Sequence, residues 1–357
     1  MRPLTLTRQI RIFPTSQQEY VLWVLSEKCR LLYNFALVEQ QQHWEANRTK
    51  PPEARTYINY IKQQNDLPPI KAQYPEYAWV YSKVLQMVLR RLDADFKSFF
   101  ARWNNGDHNA HPPRFKGKHY FITLCYNQSG FAIDIDNKRI RLSHNHLSGV
   151  ELLFDLPWLT QITGKVKQVE LFQDRQRRWF VAIITDEMVS TYVDNGLYQA
   201  IDLGIVNLVT AVNLHGKFVQ IRNRRPNRYW RKKIREVQSK RDYCKRFSNK
   251  WYRYSAKLQK LQRKLANQLR DFQHKISKRV LEHTRANTFV LGALDIKAIA
   301  RKKKPIDNPR VNKAYRTLHH SLQNTGFLGR FAEFLTYKAR KVGKRVVRIA
   351  EAYTTKT

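Results

Sequence analysis

The 357-residue chain carries 66 Lys+Arg against 28 Asp+Glu, a formal net charge of +38, with 42% hydrophobic and 12% aromatic residues. That length and apolar content suit two or three domains with real cores and exclude a disordered tail. A positive field this large repels itself in a folded protein unless a polyanion shares the space, so nucleic acid is the expected partner. No apolar run approaches the length of a spanning helix, and the opening "MRPLTLTRQI" lacks the apolar core of a signal peptide. No membrane partner is expected, and a cytoplasmic location is. Cys29, Cys125 and Cys244 are widely spaced, with no Cys or His at metal-ligand spacing. Neither zinc nor a disulfide framework is expected, and each thiol reads as a small buried apolar residue.

Residues 4–13 alternate as a strand. A helix follows from "PTSQQE", with capping-box spacing either at Thr15 and Gln18 or at Ser16 and Glu19. Pro-containing loops fall at 51–52 and 68–69. A helix is predicted over about 79–103, where Leu85, Val88, Leu89, Leu92, Phe96, Phe99, Phe100 and Trp103 form one stripe. Lys83, Gln86, Arg90, Arg91 and Lys97 lie off it, on a face open to phosphate or base edges. Residues 104–119 are a loop by composition. The period then switches to two: "GFAIDIDNKRIRLS" reads as a hairpin turning at Asp136-Asn137, and "KVKQVELF" with "RWFVAIIT" as another. This is a small β domain, with the helices of 16–103 as an insertion into it and a boundary at 186–198.

From residue 199, "QAIDLGIVNLVTAVNLHGKFVQI" gives strand, hairpin and strand. A long basic helical stretch is predicted over 227–286, where Leu258, Leu261, Leu265, Leu269, Phe272, Ile276 and Val280 keep three–four spacing. A strand at 288–294, a helix at 325–342 and a strand at 345–350 complete the chain. This order suits an RNase H-like mixed sheet. Cleaving a phosphodiester on such a sheet takes about three converging carboxylates that hold two Mg²⁺ ions roughly 3.5–4 Å apart. Asp202, among Ala200, Ile201, Leu203 and Ile205, is well placed as the first, since a carboxylate in an apolar strand is costly without a metal or donor. The strand at 288–294 carries no acid. Asp295 lies beyond its apolar run, and Glu351 is the only acid after the last strand. One secure carboxylate remains, so no productive Mg²⁺ pair is expected.

The chain resembles the TnpB family of transposon-encoded RNA-guided nucleases, relatives of the type V CRISPR effectors. The resemblance rests on "RIFPTSQQEYVLWVLSEKCRLLYNFAL", "YSKVLQMVLRRLDADFKSFF", "HPPRFKGK", "AIDLGI", "RDFQHKIS" and "TGFLGRFAEFLTYKARKVGKRVVRI". It implies an α+β multidomain fold. A β-barrel-like wedge (1–15 and 104–190) would receive a helical recognition domain (16–103). A RuvC-like RNase H domain (191–357) would follow, with a long helical insertion. Two departures stand out. The second family motif has the form "IVIEDL", and "FVLGAL" here puts Gly292 at the glutamate. The sequence ends at "YTTKT", where the family continues into a zinc ribbon and a last Asp motif. These departures bring the resemblance nearest to the nuclease-dead TnpB-like repressors (TldR).

That resemblance implies a bacterial monomer in a ribonucleoprotein complex, with guide RNA and double-stranded target DNA as partners, nucleoid-associated when bound. Asp202 would be vestigial and Gly292 a lost acidic position. Tyr57, Ser82, Lys83, Gln86, Tyr126 and Asn127 match the positions that read the motif flanking the target; an amide such as Gln86 suits adenine in the major groove. Arg224, Arg225, Arg228, Arg231, Lys232 and Lys233 would face RNA and heteroduplex backbone. Two rival expectations are an active endonuclease drawing on Asp295 or Glu351, and a remnant that binds RNA only.

Overall fold

The computed structural model describes residues 2–160, 162–174, 176–292, 311 and 328–349. The chain divides into two compact units, one spanning Thr5–Glu187, the other the described residues from Met188 onward with the first residues of the chain. Among the described residues no helix is long and apolar enough to cross a membrane.

In the first unit, β1 (Arg2–Ile12) leads into α1 (Ser16–Arg48), a single uninterrupted helix. Of the two possible capping boxes the structure uses Thr15 with Gln18. The Gln18 N–H donates to Thr15 Oγ1 (3.3 Å), and the Thr15 N–H donates to Gln18 Oε1 (3.0 Å). Short helices α2 (Tyr60–Asn65) and α3 (Leu67–Gln73) precede α4 (Ser82–Asn104). The strands are β2 (Leu124–Asn127), β3 (Phe131–Asp134), β4 (Arg139–Leu142), β5 (Leu152–Asp155), β6 (Lys165–Gln173) and β7 (Trp179–Val189). They form a four-stranded sheet, β1-β7-β6-β2, and a three-stranded one, β3-β4-β5.

One core unites these pieces. Leu22, Leu25, Leu32 and Leu37 of α1 and Leu85, Leu89 and Leu92 of α4 join a single buried cluster with Leu124, Ile140, Leu152, Val169 and Val181 of the strands. The expected boundary at 103/104 is therefore a change of element type and not a division of the core. The loop after α4 is lashed to α1: Arg30 and Asn34 donate to the Lys116 carbonyl (2.9 and 3.0 Å), and the Lys116 N–H donates to Asn34 Oδ1 (2.8 Å). Gly130, at φ +82°, lets Tyr81 lie flat against the chain; a Cβ there would come within 2.3 Å of the Tyr81 ring.

The second unit is built on a five-stranded mixed sheet. Its strands are β8 (Tyr198–Asp202), β9 (Asn207–Asn213), β10 (Phe218–Arg222), β11 (Thr288–Gly292) and β12 (Arg345–Ile349), in the order β10-β9-β8-β11-β12. The first three form antiparallel hairpins, whereas β11 runs parallel to both β8 and β12. The basic helical stretch is two helices, α5 (Asn227–Asp242) and α6 (Asn249–Glu282), broken at 243–248. Ser248 caps α6 by accepting from the Trp251 N–H at 3.3 Å. Ile276, Val280 and Leu281 of α6, with Phe331 and Leu335 of α7 (Leu328–Lys341), pack on Ile201, Phe289 and Leu291.

One buried ion pair joins β1 to β7. Arg8 meets Glu187, whose side chain is only 5% exposed, and also donates to Thr185 Oγ1 at 2.9 Å. Removing one partner of such a pair strands the other charge away from water. Arg8→Ala is therefore expected to cost about 3 kcal/mol by urea denaturation; a loss below about 1 kcal/mol, the range of exposed pairs, would show the pair to be solvated.

Candidate nucleic-acid interface

The register of β11 on β8 decides what stands near Asp202. Val290 faces Ala200 and Leu291 faces Ile201 across parallel strands. One step further along, Gly292 falls level with Asp202. Ile201, Phe289 and Leu291 belong to the core with α6 and α7. Ala200, Asp202, Val290 and Gly292 alternate with them, so they face the other way. Asp202 is exposed. Pleat alternation turns its carboxylate out of the apolar run, so the cost expected of a carboxylate among these apolar neighbours does not arise. Past it, Gly204 allows a tight return, since a Cβ would lie 2.8 Å from the Asn207 carbonyl.

Two-metal chemistry would need converging carboxylates beside these strand ends. Asp202 brings a carboxylate, and Gly292, at the neighbouring strand end, brings no side chain at all. Among the described residues, no group of three or more His, Cys, Asp and Glu is placed to share an ion. Asp295 and Glu351 lie outside the described residues.

Arginines gather beside the β9–β10 hairpin. The Asn223 N–H donates to the Val206 carbonyl (2.8 Å), and the Arg225 N–H to Asn223 Oδ1 (3.3 Å). This fold of the chain puts Arg222, Arg224, Arg225 and Arg228 around one open depression of about 490 Å³. Arg225 is half-buried at φ +47°. Burial, and then the neighbouring Arg228 charge, push its pKa down. A second depression of about 630 Å³ adjoins, lined by Arg222 and Arg224 with Phe272, Lys275 and Arg279 of α6. Arg224 lies 5.9 Å over the Phe272 ring. Arg231, Lys232 and Lys233 are exposed on α5, with the Lys233 ammonium 4.5 Å over Tyr229. Sequence reasoning missed Arg222 and Lys275, although a basic residue closing β10 was the available signal.

The expected flanking-motif residues do not all converge. Tyr81 stacks on Tyr126 (6.1 Å) and donates to Ser129 Oγ (3.1 Å), which brings the end of β2 beside the first turn of α4. Lys83 and Gln86 stand on the opening turns of α4 and Asn127 closes β2, while Ser82 Oγ accepts from Lys71 (2.7 Å). Tyr126 is a correction. It is 1% exposed and donates its hydroxyl to the Ser143 carbonyl (3.2 Å), so it is core and cannot present an edge to a base. Tyr57 is 80% exposed but follows Thr56, whose backbone is pinned to Asn47 near the end of α1. Cys29 and Cys125 are buried as expected, their thiols pushed up to about 12 by desolvation. Cys244 is only partly buried and donates to the Lys240 carbonyl at 3.2 Å.

The "RDFQHKIS" segment builds a polar seam between α6 and α7. His274 stacks on Phe334 at 3.9 Å, Lys338 donates to the His274 carbonyl (2.7 Å) and Ser277 Oγ (2.8 Å), and Arg330 donates to Gln273 Oε1 (2.7 Å). Burial first, then the Lys338, Arg270 and Arg330 charges, hold the His274 pKa down to about 4. Burial likewise takes Lys338 down to about 8.

Comparison with known proteins places these features in context. Residues 183–303 match the IS605 OrfB family described as "Probable transposase", and residues 1–49 match a "Helix-turn-helix domain". The second label does not describe the local structure, which is a strand and one unbroken helix. "Putative RNA-guided DNA endonuclease InsQ" of Escherichia coli (strain K12) is 27% identical over 97% of this chain and 80% of that protein. A "Putative RNA-guided DNA endonuclease" of Streptomyces pristinaespiralis is 24% identical over 82% and 68%. In fold, the chain resembles the protein in a Cas12f1–sgRNA–target DNA complex, with a TM-score of 0.59 at 10% identity over 98% of this chain and 89% of that one. The chain is thus IS605-transposase-like in sequence and a mixed α/β protein of Cas12f-like fold.

The seam yields a pH prediction. Between pH 6.5 and 4 an unfolded chain takes up a proton at His274 that the folded chain refuses. Its contribution to stability is complete above that window and is lost as pH falls through it. His274→Phe, which keeps a ring on Phe334, should flatten the fall in urea midpoint between neutral and mildly acidic pH. An unchanged slope would mean that His274 is freely protonated in the folded protein.

Proposed function

We propose that this protein is an RNA-guided DNA-binding protein whose RuvC-like domain does not cleave. It pairs a guide RNA with target DNA beside a short flanking motif and acts by occupying its site, as the nuclease-dead TnpB-like repressors do. The observation that carries this reading is Gly292 level with Asp202 on the adjacent parallel strand, where two-metal cleavage needs a second acid. The strand order, with an acid at the end of the strand that starts the sheet, supports the RuvC-like assignment. Base pairing would read the target, and the protein the heteroduplex shape and flanking motif. Lys83, Gln86 and Asn127 are the residues proposed for that motif, and the arginines beside the β9–β10 hairpin for backbone phosphates. Promoter occlusion needs affinity and residence time, not turnover. The names of the relatives favour a second reading, an active endonuclease that recruits other acids such as Asp295 or Glu351.

The two separate cleanly. Protein carrying its copurified RNA, given Mg²⁺ and a plasmid matched to that RNA, should retard the DNA and leave it supercoiled. Nicking or linearisation by less than one protein per plasmid would overturn the proposal. The phosphate role has its own test. Each of Arg224→Ala and Arg228→Ala should weaken RNA binding and lower the log–log salt slope by about one, whereas an unchanged slope would remove these arginines from the interface.

A further inference from the structure

The turn that joins α5 to α6 carries a surface that the proposed function does not use. The Ser248 N–H donates to the Lys245 carbonyl at 3.1 Å and closes a four-residue turn. Phe247 occupies its third position at φ +67°. Glycine or asparagine is the ordinary occupant of a left-handed turn position, and a bulky aromatic is held there against its backbone preference. The residue is nevertheless 62% exposed. Trp251 lies 5.5 Å and Tyr252 6.5 Å from it, and the Arg246 guanidinium 5.1 Å over its face. At the end of α5, Tyr243 is 90% exposed, and Tyr252 is 55% exposed.

Single exposed aromatics need no explanation, but a group of them does. The surroundings narrow the choice of partner. Lys240, Lys245, Arg246, Lys250 and Arg253 are all exposed around these rings, and Asp242 is taken up by Arg241 at 2.6 Å. An apolar protein face would have to desolvate that cationic rim, whereas a nucleotide chain offers a π-face to each ring and a phosphate to each cation. Duplexes hide their base faces, so only unpaired nucleotides can use such a surface. A displaced DNA strand exists only while a target is open. A guide RNA is held throughout, and its loops keep bases unstacked.

We propose that the tip formed by Tyr243, Phe247, Trp251 and Tyr252 is a stacking platform for unpaired nucleotides of the RNA this protein holds. The inference rests on the RNA-binding part of the reading above and is independent of whether DNA is cut.

The test uses full-length protein freed of nucleic acid. The probes are a fluorescein-labelled oligouridylate of about twenty nucleotides, the matching oligothymidylate and an RNA duplex of equal length. Phe247→Gly removes the ring and gives the turn the residue its backbone favours. Its thermal midpoint should hold or rise while oligouridylate affinity falls about tenfold, with duplex affinity within about twofold of wild type. Tyr243→Ala should behave alike in binding. Equal losses on duplex and single strand would reduce the tip to its charge and overturn the proposal, as would full retention of oligouridylate binding. A loss confined to oligothymidylate would assign the surface to DNA instead, and a loss of self-association in light scattering would assign it to a second copy of the chain. No arm depends on Mg²⁺ or a matched target, so failure here leaves the cleavage reading untouched, and the reverse holds.

Discussion

The parallel register of β11 on β8 is the constraint from which the second unit takes its character. Leu291 opposite Ile201 sets both strands so that alternate residues enter the core beneath α6 and α7. A slip of one residue would turn Phe289 and Leu291 out and expose an apolar face, so burial locks the pairing. The same lock fixes which side chains stand together on the opposite face. There it aligns a carboxylate with a glycine. A sheet held this firmly has no cheap way to shift another acid into place on these two strands, because any shift that moved Gly292 aside would unpack the core.

Charge organises the rest. The +38 balance is not spread evenly. In the first unit several cations are matched locally, as in Arg8–Glu187, Arg178–Asp174 and Lys167–Asp186. In the second, Arg222, Arg224, Arg225 and Arg228 crowd one depression, and the like charge of Arg228 helps to push Arg225 down. Holding arginines together raises the folded protein's energy until an anion enters, and a phosphate chain relieves several at once. The adjoining Phe272 and Tyr229 add faces over which guanidinium and ammonium groups already lie.

Much of this was legible in the residues, and the failures have physical causes. The capping box, the helix over 82–104, the two hairpins of the first unit and the strand–helix order of the second follow from local spacing. Strand β2 was missed because "LCYN" buries three consecutive residues, so it lacks the alternation that betrays a half-buried strand. The same packing hides Tyr126, which looked like a surface reader beside Asn127. The break between α5 and α6 was missed because no Gly or Pro marks it; Ser248 before Asn249 is a cap signal inside an otherwise helical pattern. Asp202 was placed on the right strand but given the wrong environment, because a run of apolar neighbours conceals the pleat that separates Ile201 from it. Convergence of distant residues, such as Arg222 with Arg279, depends on how α6 lies against the sheet, and no local pattern encodes that.

Binding and cleavage make unequal demands on such a scaffold. Polyanion binding is a sum of many contacts, each worth a modest step in affinity, so losing one cation weakens the grip by degrees. Two-metal chemistry is a product of conditions: ion positions, charge and the attacking oxygen must all be right together, and one missing carboxylate removes the geometry on which the others depend. A fold under pressure only to hold nucleic acid would therefore keep its core, its arginines and its turn chemistry while its acidic positions became free to change. On the proposed reading, Gly292 is such a position. It sits at the end of a strand whose Phe289 and Leu291 enter the core, on the opposite face and one step beyond the Leu291–Ile201 pair.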